Sequence, residues 1–317
     1  MGHSDVFCST IIPTIGRDTL ARTVESVISQ GGDLAREVIV VNDSGQPLPS
    51  GAWQQAAGVQ VIETQQRERS VARNVGAAVA RGRYLHFLDD DDWLLPGALT
   101  TFAALAEQSS AAWLYGAAQL TDASGRCLFQ FDHQLSSNCF TQVMAGEWVP
   151  LQASLISARA FFDVGGFDPI YDVAQDKDLL LRMALRFDLA GTPTPVAGIL
   201  RGIWPSATNY GGMTSEWRNI RERVLELPGV PARLRSSAKG AYWQGRLLRL
   251  YLLSVVWNAQ HGRAIILAGR LFHAVDTLLL ARGRLFSADF RRALRQPHLT
   301  QGFEPDQAAL DPRPRPA

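Results

Sequence analysis

This 317-residue sequence has few cysteines, almost no net charge and no internal repeat. Its three cysteines, Cys8, Cys127 and Cys139, are odd in number and show no metal-ligand spacing. They therefore favour a reducing compartment over a disulfide framework or a zinc site. A formal net charge of +1 excludes nucleic acid as a partner attracted by charge.

The sequence also shows neither the pattern of a signal peptide nor that of a membrane-spanning helix. Residues 1–5 lack the basic and apolar regions of a signal peptide. The best apolar run for a membrane span, Leu250–Gly262, is shorter than the roughly 20 residues that a span requires. We therefore expect a cytoplasmic protein with no membrane-spanning helix.

The N-terminal half alternates short apolar runs with segments of helical periodicity. This alternation predicts an α/β fold, a mainly parallel sheet flanked by helices. Strands are predicted at residues 6–12, 37–41, 59–62 and 84–88. Helices are predicted to begin near Asp18, Ser70 and Pro96.

Four consecutive aspartates, Asp89 to Asp92, follow the predicted strand 84–88. Stacking like charges at the edge of a sheet is unfavourable unless something positive binds there. Open α/β sheets bind ligands outside the carboxyl ends of their strands. Because Mg²⁺ and Mn²⁺ prefer oxygen ligands, the aspartates indicate a divalent-metal site. A solvated acidic turn is the alternative.

The C-terminal part is predicted to be helical from about residue 215, with apolar stripes at 247–256 and 267–279 and arginines on the outer faces. We expect these two helices to pack on each other and on the α/β domain. A basic amphipathic surface that touches a membrane, or an oligomer contact, is the alternative. The predicted domains are therefore residues 1–213, a helical region 214–296 and a disordered Pro-rich tail 297–317.

Five motifs occur together in the order found in the inverting, GT-A-fold glycosyltransferases of family 2, which the sequence resembles over roughly residues 6–205. The motifs are Ser9–Thr14, Val40–Gly45, Ala72–Gly76, Phe87–Trp93, and Gly165–Asp168 followed by Gln175–Arg182. The resemblance implies a nucleotide-sugar half at about 1–112 and an acceptor half at about 113–213. It also implies transfer of a sugar from a UDP- or dTDP-sugar to a carbohydrate or lipid-linked acceptor hydroxyl, with Mn²⁺ or Mg²⁺.

The resemblance assigns donor binding to residues near the ends of the first strands. Backbone groups of Pro13 and Thr14 would meet the base, and the Asp43 carboxylate would accept the imide N–H of uracil or thymine. The alternative role of Asp43 is to cap the turn that follows it. Arg73 would bind the base or the diphosphate, since a guanidinium can donate to two phosphate oxygens at once. The alternative for Arg73 is an ion pair with one of the aspartates.

Within the four aspartates, alternation along an extended segment places Asp89 and Asp91 on one side. Asp91 is predicted to be the direct metal ligand. Asp89 is predicted to meet the ribose side of the donor, or the metal through water, and Asp90 is included among the nucleotide-sugar contacts. Asp90 and Asp92 have the alternative role of capping the helix near Pro96.

The catalytic base is predicted to be Asp176, at the start of the helix 176–187. Asp176 shares the inward face of that helix with Leu180 and Met183. Asp178 stands four residues before Arg182, the spacing of an exposed ion pair. The family usually has Glu immediately before the base, and this sequence has Gln175.

Two other functions fit an α/β sheet with a nucleotide site. A sugar-1-phosphate nucleotidyltransferase would require a glycine-rich basic loop, which 13–17 approximates poorly. A non-catalytic sugar- or partner-binding module would have lost Asp91 or Asp176, and both are present. We therefore predict a metal-dependent inverting glycosyltransferase, cytoplasmic or peripheral at the inner face of a membrane.

Overall fold

The computed structural model describes residues 6–131, 135–200, 210–260, 262–281 and 283–295. The chain forms two compact units, the first made of Met1–Phe140 with Trp148–Val224 and the second of Thr141–Glu147 with Leu225–Ala317. The sequence-based domain boundary at residue 213 lies inside a helix of the first unit. The predicted disordered tail, 297–317, lies outside the described residues.

The first unit contains a sheet of nine strands. They are β1 (Cys8–Thr14), β2 (Arg36–Asn42), β3 (Val59–Glu63), β4 (Tyr84–Phe87), β5 (Trp93–Leu94), β6 (Trp113–Thr121), β7 (Cys127–Phe131), β8 (Ser154–Ser157) and β9 (Leu189–Leu200). Their order is β3-β2-β1-β4-β8-β6-β9-β5, and β7 pairs with β6. Apolar side chains of β1, β2 and β4 are fully buried, as expected for strands covered on both faces.

The α/β class is confirmed, and the sheet as a whole is mixed rather than mainly parallel. Strands β1 to β4 pair in parallel, whereas β8 is antiparallel to both β4 and β6. The difference arises in the second half, where the weaker sequence pattern of 113–155 predicts short mixed strands and loops without their pairing.

Helices cover the sheet and form the C-terminal part. The helices are α1 (Leu20–Ile28), α2 (Arg69–Val79), α3 (Ala98–Gln108), α4 (Phe140–Met144), α5 (Ala158–Asp163), α6 (Gln175–Arg186), α7 (Tyr210–Leu225), α8 (Val230–Ser236), α9 (Gly240–Gln260), α10 (Ala264–Ala281) and α11 (Ala288–Arg295).

The predicted helix starts need correction at three places. Thr19 rather than Asp18 precedes α1, and it makes no side-chain cap. Glu68 caps α2 by accepting hydrogen bonds from the backbone N–H groups of Ser70 and Val71, so Ser70 is not the cap. Helix α3 begins two residues after Pro96, because left-handed Gly97 (φ 80°) reorients the chain first.

The strand order places several chain ends at one sheet edge. Strand β1 lies between β2 and β4 and is parallel to both, with Thr14 opposite Asn42 and Ile11 opposite Phe87. Strand β1 also runs past Pro13 to Thr14, so Pro13 does not end it. The residues that follow these three strands therefore meet at the carboxyl edge of the sheet.

In the second unit, α9, α10 and α11 share a small apolar cluster that includes Leu248, Ala274 and Phe290. The predicted packing of α9 on α10 is confirmed. The outer face of α10 is apolar and exposed rather than lined by arginines. By length and composition alone, helix Ala264–Ala281 could cross a membrane. The prediction that Leu250–Gly262 is the best candidate for a membrane span was therefore wrong.

Candidate active site

Asp90 lies buried at the carboxyl edge and joins two strand ends. Thr14 Oγ1 donates a hydrogen bond of 2.6 Å to one carboxylate oxygen of Asp90, and the Arg17 guanidinium forms an ion pair with the other. Burial raises the pKa of Asp90, although Thr14 and Arg17 oppose this shift. Asp90 therefore fixes the loop after β1 instead of capping a helix.

Asp89 stands on the opposite side of the same turn and is one-third exposed. Arg73 Nη2 donates to it at 2.5 Å, and Gln152 Nε2 donates at 2.9 Å. Burial disfavours the charged form of Asp89, but Arg73 more than compensates and holds its pKa below the usual value. The ion-pair alternative for Arg73 is thus observed.

Arg73 itself is buried, with 4% of its side chain exposed. Its Nε and Nη1 atoms have no hydrogen-bond partner among the described residues. Buried donors without partners are uncommon in folded proteins, because their desolvation is not repaid. Arg73 Nε and Nη1 are therefore donor atoms beside the aspartates that no described residue satisfies.

Asp91 has the least satisfied carboxylate of the four. Its Oδ2 atom lies 3.6 Å from Arg17 Nη1, beyond hydrogen-bond distance. Burial and the charge of Asp89 raise its pKa to about 6, and Arg17 offsets part of this shift. A carboxylate in this state gains most from a bound cation.

Asp92 has a structural role that differs from the predicted helix cap. Its Oδ1 atom accepts a hydrogen bond of 2.8 Å from the backbone N–H of Leu200, and its carbonyl oxygen accepts one from Thr23. Burial and the charges of Asp89 and Asp91 raise its pKa well above the usual value. Asp92 thereby joins α1 to the end of β9.

No group of three or more His, Cys, Asp or Glu side chains in the described part of the chain is arranged as a metal site. Two carboxylates with accessible oxygens, Asp89 and Asp91, remain at the sheet edge. One or two carboxylates are the usual protein share of an Mg²⁺ site whose other positions hold phosphate and water. The donor set therefore fits a substrate-assisted divalent ion and does not fit a site built wholly from the protein.

Asp43 organises the loop between β3 and α2. Its Oδ1 atom accepts hydrogen bonds from Thr64 Oγ1 and from the backbone N–H groups of Gln66 and Arg67, and its Oδ2 atom accepts one from Glu68 N–H. Oδ2 thus accepts one hydrogen bond among those of the described residues, whereas Oδ1 accepts three.

The turn after β2 is held by Asn42 and not by Asp43, for which turn capping was the alternative role. Asn42 Oδ1 accepts hydrogen bonds from the backbone N–H and the hydroxyl of Ser44. Asn42 therefore takes the turn-capping role that was the alternative for Asp43. Pro13 and Thr14 lie next to this turn, and the Thr14 carbonyl accepts the Asp43 N–H at 2.8 Å.

The two carboxylates at the start of α6 differ in their surroundings. Asp176 is partly exposed, and its Oδ1 atom accepts only the N–H of Lys177 among the hydrogen bonds of the described residues. Asp178 is buried and pairs with Arg182 through two hydrogen bonds of 2.8 and 2.5 Å. The predicted Asp178–Arg182 pair is present, but it is buried rather than exposed, because Arg182 also reaches the preceding turn.

A network of hydrogen bonds joins α2 to the segment before α6. Asn74 Nδ2 donates to the Phe167 carbonyl, and the Phe167 N–H donates to Asn74 Oδ1. Arg182 donates to the Gly166 carbonyl at 2.7 Å. The Arg73 guanidinium also lies 5.4 Å from the centre of the Phe167 ring. These contacts connect the Arg73–Asp89 pair to the segment that leads into Asp176.

Two residues of the site were missed in the sequence. Arg17 lies in the segment 13–17, which was interpreted only as a poor match to a glycine-rich basic loop. Gln152 belongs to no recognised motif. An arginine three residues after the end of β1, in a chain with four consecutive aspartates after a neighbouring strand, was the available signal for Arg17. Gln152 could not have been found, because its place depends on β8 pairing with β4.

Comparison with known proteins identifies one family model, described as glycosyl transferase family 2, which matches residues 9–127. This range contains both strand-end motifs, α2 and the four aspartates. No curated protein sequence matches the chain.

Solved structures of TarS from S. aureus share the fold. The structure of TarS 1-349 has 15% sequence identity and a TM-score of 0.54, and the match covers 92% of this chain and 81% of that chain. TarS 1-349 in complex with UDP-GlcNAc has 14% identity and a TM-score of 0.58, covering 91% and 78%. The complex with UDP has 15% identity and a TM-score of 0.53, covering 88% and 92%.

Proposed function

On the premise that this chain, through residues 9–127, belongs to glycosyl transferase family 2, we propose that it transfers a sugar with inversion from a UDP- or dTDP-sugar to an acceptor hydroxyl. The observation that carries this proposal is the cluster at the carboxyl edge: an unsatisfied Asp91 beside the paired Asp89, with unpartnered donors of Arg73. The complexes of TarS with UDP-GlcNAc and UDP favour a uridine donor.

The nucleoside part of the donor would lie against the end of β2. Asp43 Oδ2, the oxygen with the single described hydrogen bond, would accept an imide N–H, which uracil and thymine carry. Backbone groups of Pro13 and Thr14 border the same place. Because the other oxygen of Asp43 is held by three donors, its carboxylate is oriented before the donor arrives.

The diphosphate would lie over the aspartates. Asp91 and Asp89 would hold Mn²⁺ or Mg²⁺, which when bound would supply positive charge to the departing diphosphate. Arg73 would donate its free N–H groups to phosphate oxygens, and Arg17 has its guanidinium at the same edge. These groups bind and orient the leaving group.

Asp176 would remove the proton from the acceptor hydroxyl while that oxygen attacks the anomeric carbon. Its carboxylate is partly exposed and bound only through one backbone N–H among the described hydrogen bonds, so it retains acceptor positions for a hydroxyl. Asp178 cannot offer as much, because Arg182 occupies it. A single displacement of this kind inverts the anomeric configuration.

The test is slow hydrolysis of nucleotide sugars, which needs no known acceptor. A panel of UDP- and dTDP-sugars with Mn²⁺ should give release of UDP or dTDP for a small subset. Asp91→Asn should reduce release and remove the metal dependence of nucleotide binding measured by calorimetry. Nucleotide binding with equal metal dependence in wild type and Asp91→Asn would place the metal elsewhere.

A further inference from the structure

The exposed apolar surface of the chain is concentrated on α9 and α10. More than half of the large apolar side chains that are exposed in the described part of the chain lie on these two helices. On α10 the outward side chains Ile265, Phe272, Val275, Leu279 and Leu280, here called the outer face, are between 53% and 90% exposed. Contiguous apolar surface of this kind on a folded protein marks an interaction site.

The opposite side of α10 is held within its own unit. Ala274, Thr277 and Ala281 are buried, and the His273 ring stacks on Tyr251 of α9 with 5.3 Å between the ring centres. A helix fixed along one face against α9 does not present apolar side chains all round, as a spanning helix does. Only the outer face of α10 is therefore free to contact a membrane or another apolar surface, because its opposite face is packed against α9.

The charge of this region identifies the partner. Residues 225–295 contain twelve lysines and arginines and three acidic residues, although the whole chain carries a net charge of only +1. Exposed Arg263 precedes α10, and α11 carries Arg291, Arg292 and Arg295. An exposed apolar helix face in an arginine-rich region is the composition of segments that lie in the interface of an anionic bilayer.

Asp276 limits how deeply the outer face can enter. It is exposed and is the single acidic residue of α10, one turn from Phe272 and from Leu280. A carboxylate is costly in the hydrocarbon core but is tolerated at headgroup depth. Shallow contact along the helix axis is therefore favoured over insertion across the membrane.

We propose that the outer face of α10 docks on the surface of an anionic lipid bilayer, with the arginines of residues 225–295 supplying electrostatic attraction. This inference does not rest on the proposed glycosyl transfer. Attachment would hold the protein at a surface where lipid-linked molecules are concentrated.

The experiment is co-sedimentation of the full chain with vesicles of phosphatidylcholine alone or of phosphatidylcholine with phosphatidylglycerol at three to one. The anionic vesicles should bind the protein at least about tenfold more tightly at 0.1 M salt, and the difference should shrink at 0.5 M salt. Equal binding to both vesicles, or no binding to either, would overturn the proposal.

The matched variants replace exposed apolar residues in pairs. Phe272→Ser with Leu279→Ser should reduce binding to anionic vesicles at least about tenfold, by loss of apolar contact. The control is Phe162→Ser with Ile170→Ser in the first unit, where the side chains are 52% and 70% exposed, and it should leave binding unchanged. Light scattering gives the competing outcome: a dimer that Phe272→Ser with Leu279→Ser abolishes, without vesicle binding, would assign the outer face to a second copy of the chain.

Discussion

Arg17 forms an ion pair with Asp90, and the same guanidinium nitrogen lies 3.6 Å from Asp91. Asp90 is buried, whereas two-fifths of the Arg17 side chain is exposed. Arg17 is thus the positive charge that the chain supplies to Asp90 and Asp91, as Arg73 is for Asp89. A bound metal ion would have to share this place with Arg17 or displace it.

Arg17→Gln should make the protein more dependent on metal. Without the guanidinium, Asp90 and Asp91 lose their nearest cation, and Mn²⁺ should stabilise the variant more than the wild type because it binds the folded state. We expect the increase in melting temperature at 1 mM Mn²⁺ to be about twice as large in the variant. The matched control is Arg159→Gln, since Arg159 is 92% exposed and pairs only with its helix neighbour Asp163 among the described residues. If Mn²⁺ raises the melting temperature equally in Arg17→Gln and in wild type, Arg17 does not compete with the metal ion.

Asp176→Asn should lower turnover by about a hundredfold or more, the usual contribution of a positioned base. Its melting temperature and its affinity for UDP should stay close to wild type, because Asn is nearly isosteric and the bond from Lys177 N–H can persist. The measurement compares turnover with excess acceptor, thermal melting and calorimetry on each variant.

Asp178→Asn provides the contrast on the same helix. It breaks the charge balance of a buried pair with Arg182 and should cost about 3 kcal/mol of folding free energy. Activity per folded molecule should fall much less than in Asp176→Asn. If the Asp178→Asn protein is stable but inactive while the Asp176→Asn protein is active, Asp178 is the catalytic base and Asp176 is not.

His86 should make folding stability depend on pH. Its ring is buried, with Nδ1 3.2 Å from the Thr10 hydroxyl and Nε2 2.9 Å from the Gln152 carbonyl, and burial disfavours the charged ring. Burial lowers its pKa from 6.5 to about 4. Between pH 6.5 and 4, His86 is mostly protonated in the unfolded chain and mostly neutral in the folded chain. Stability from this group is therefore complete above pH 6.5 and falls by about 3 kcal/mol as the pH drops to 4.

Urea unfolding at several pH values measures this dependence. His86→Gln can keep both hydrogen bonds without a titrating ring, so the slope between pH 6.5 and 4 should decrease. His273→Gln, at an exposed ring, should leave the slope unchanged. A slope that is the same in His86→Gln as in wild type would assign the acid sensitivity to other groups.

Asp43→Asn should destabilise the protein even when no nucleotide is present. The amide replaces one acceptor oxygen with an N–H₂ group that opposes the backbone donors of Gln66, Arg67 or Glu68. Thr64→Val removes a single donor and should cost about 1 kcal/mol, whereas Asp43→Asn should cost two to three times as much. Urea unfolding without ligand, followed by UDP calorimetry, separates the loss of the loop from the loss of a base contact. Unchanged stability in Asp43→Asn would contradict the anchoring role.

Prediction from sequence succeeded where local pattern and strand ends decide the outcome. The α/β class, α2 and α6 followed from apolar periodicity, and they are confirmed. The short motifs predicted the resemblance to glycosyl transferase family 2, whose model matches residues 9–127. The roles of individual aspartates were less accessible. Asp90 was predicted to contact the nucleotide sugar, and helix capping was the alternative for Asp90 and Asp92. Their observed partners were not foreseen, because Thr14, Arg17 and Leu200 come from distant parts of the chain. The outer face of α10 was missed because which side of a helix is covered depends on tertiary packing.

The paired hydrogen bonds between Asn74 and Phe167 have a consequence for mutational analysis. They join two motifs that stand more than ninety residues apart, and left-handed Gly166 (φ 70°) leaves space for them: a Cβ there would lie 2.8 Å from Asn74 Oδ1. A methyl group added at Gly166 would push Asn74 away from Phe167. It would thereby separate α2, which carries Arg73, from the segment that leads into Asp176. Substitutions on the two sides are therefore energetically coupled, and their effects will not add as those of independent sites do.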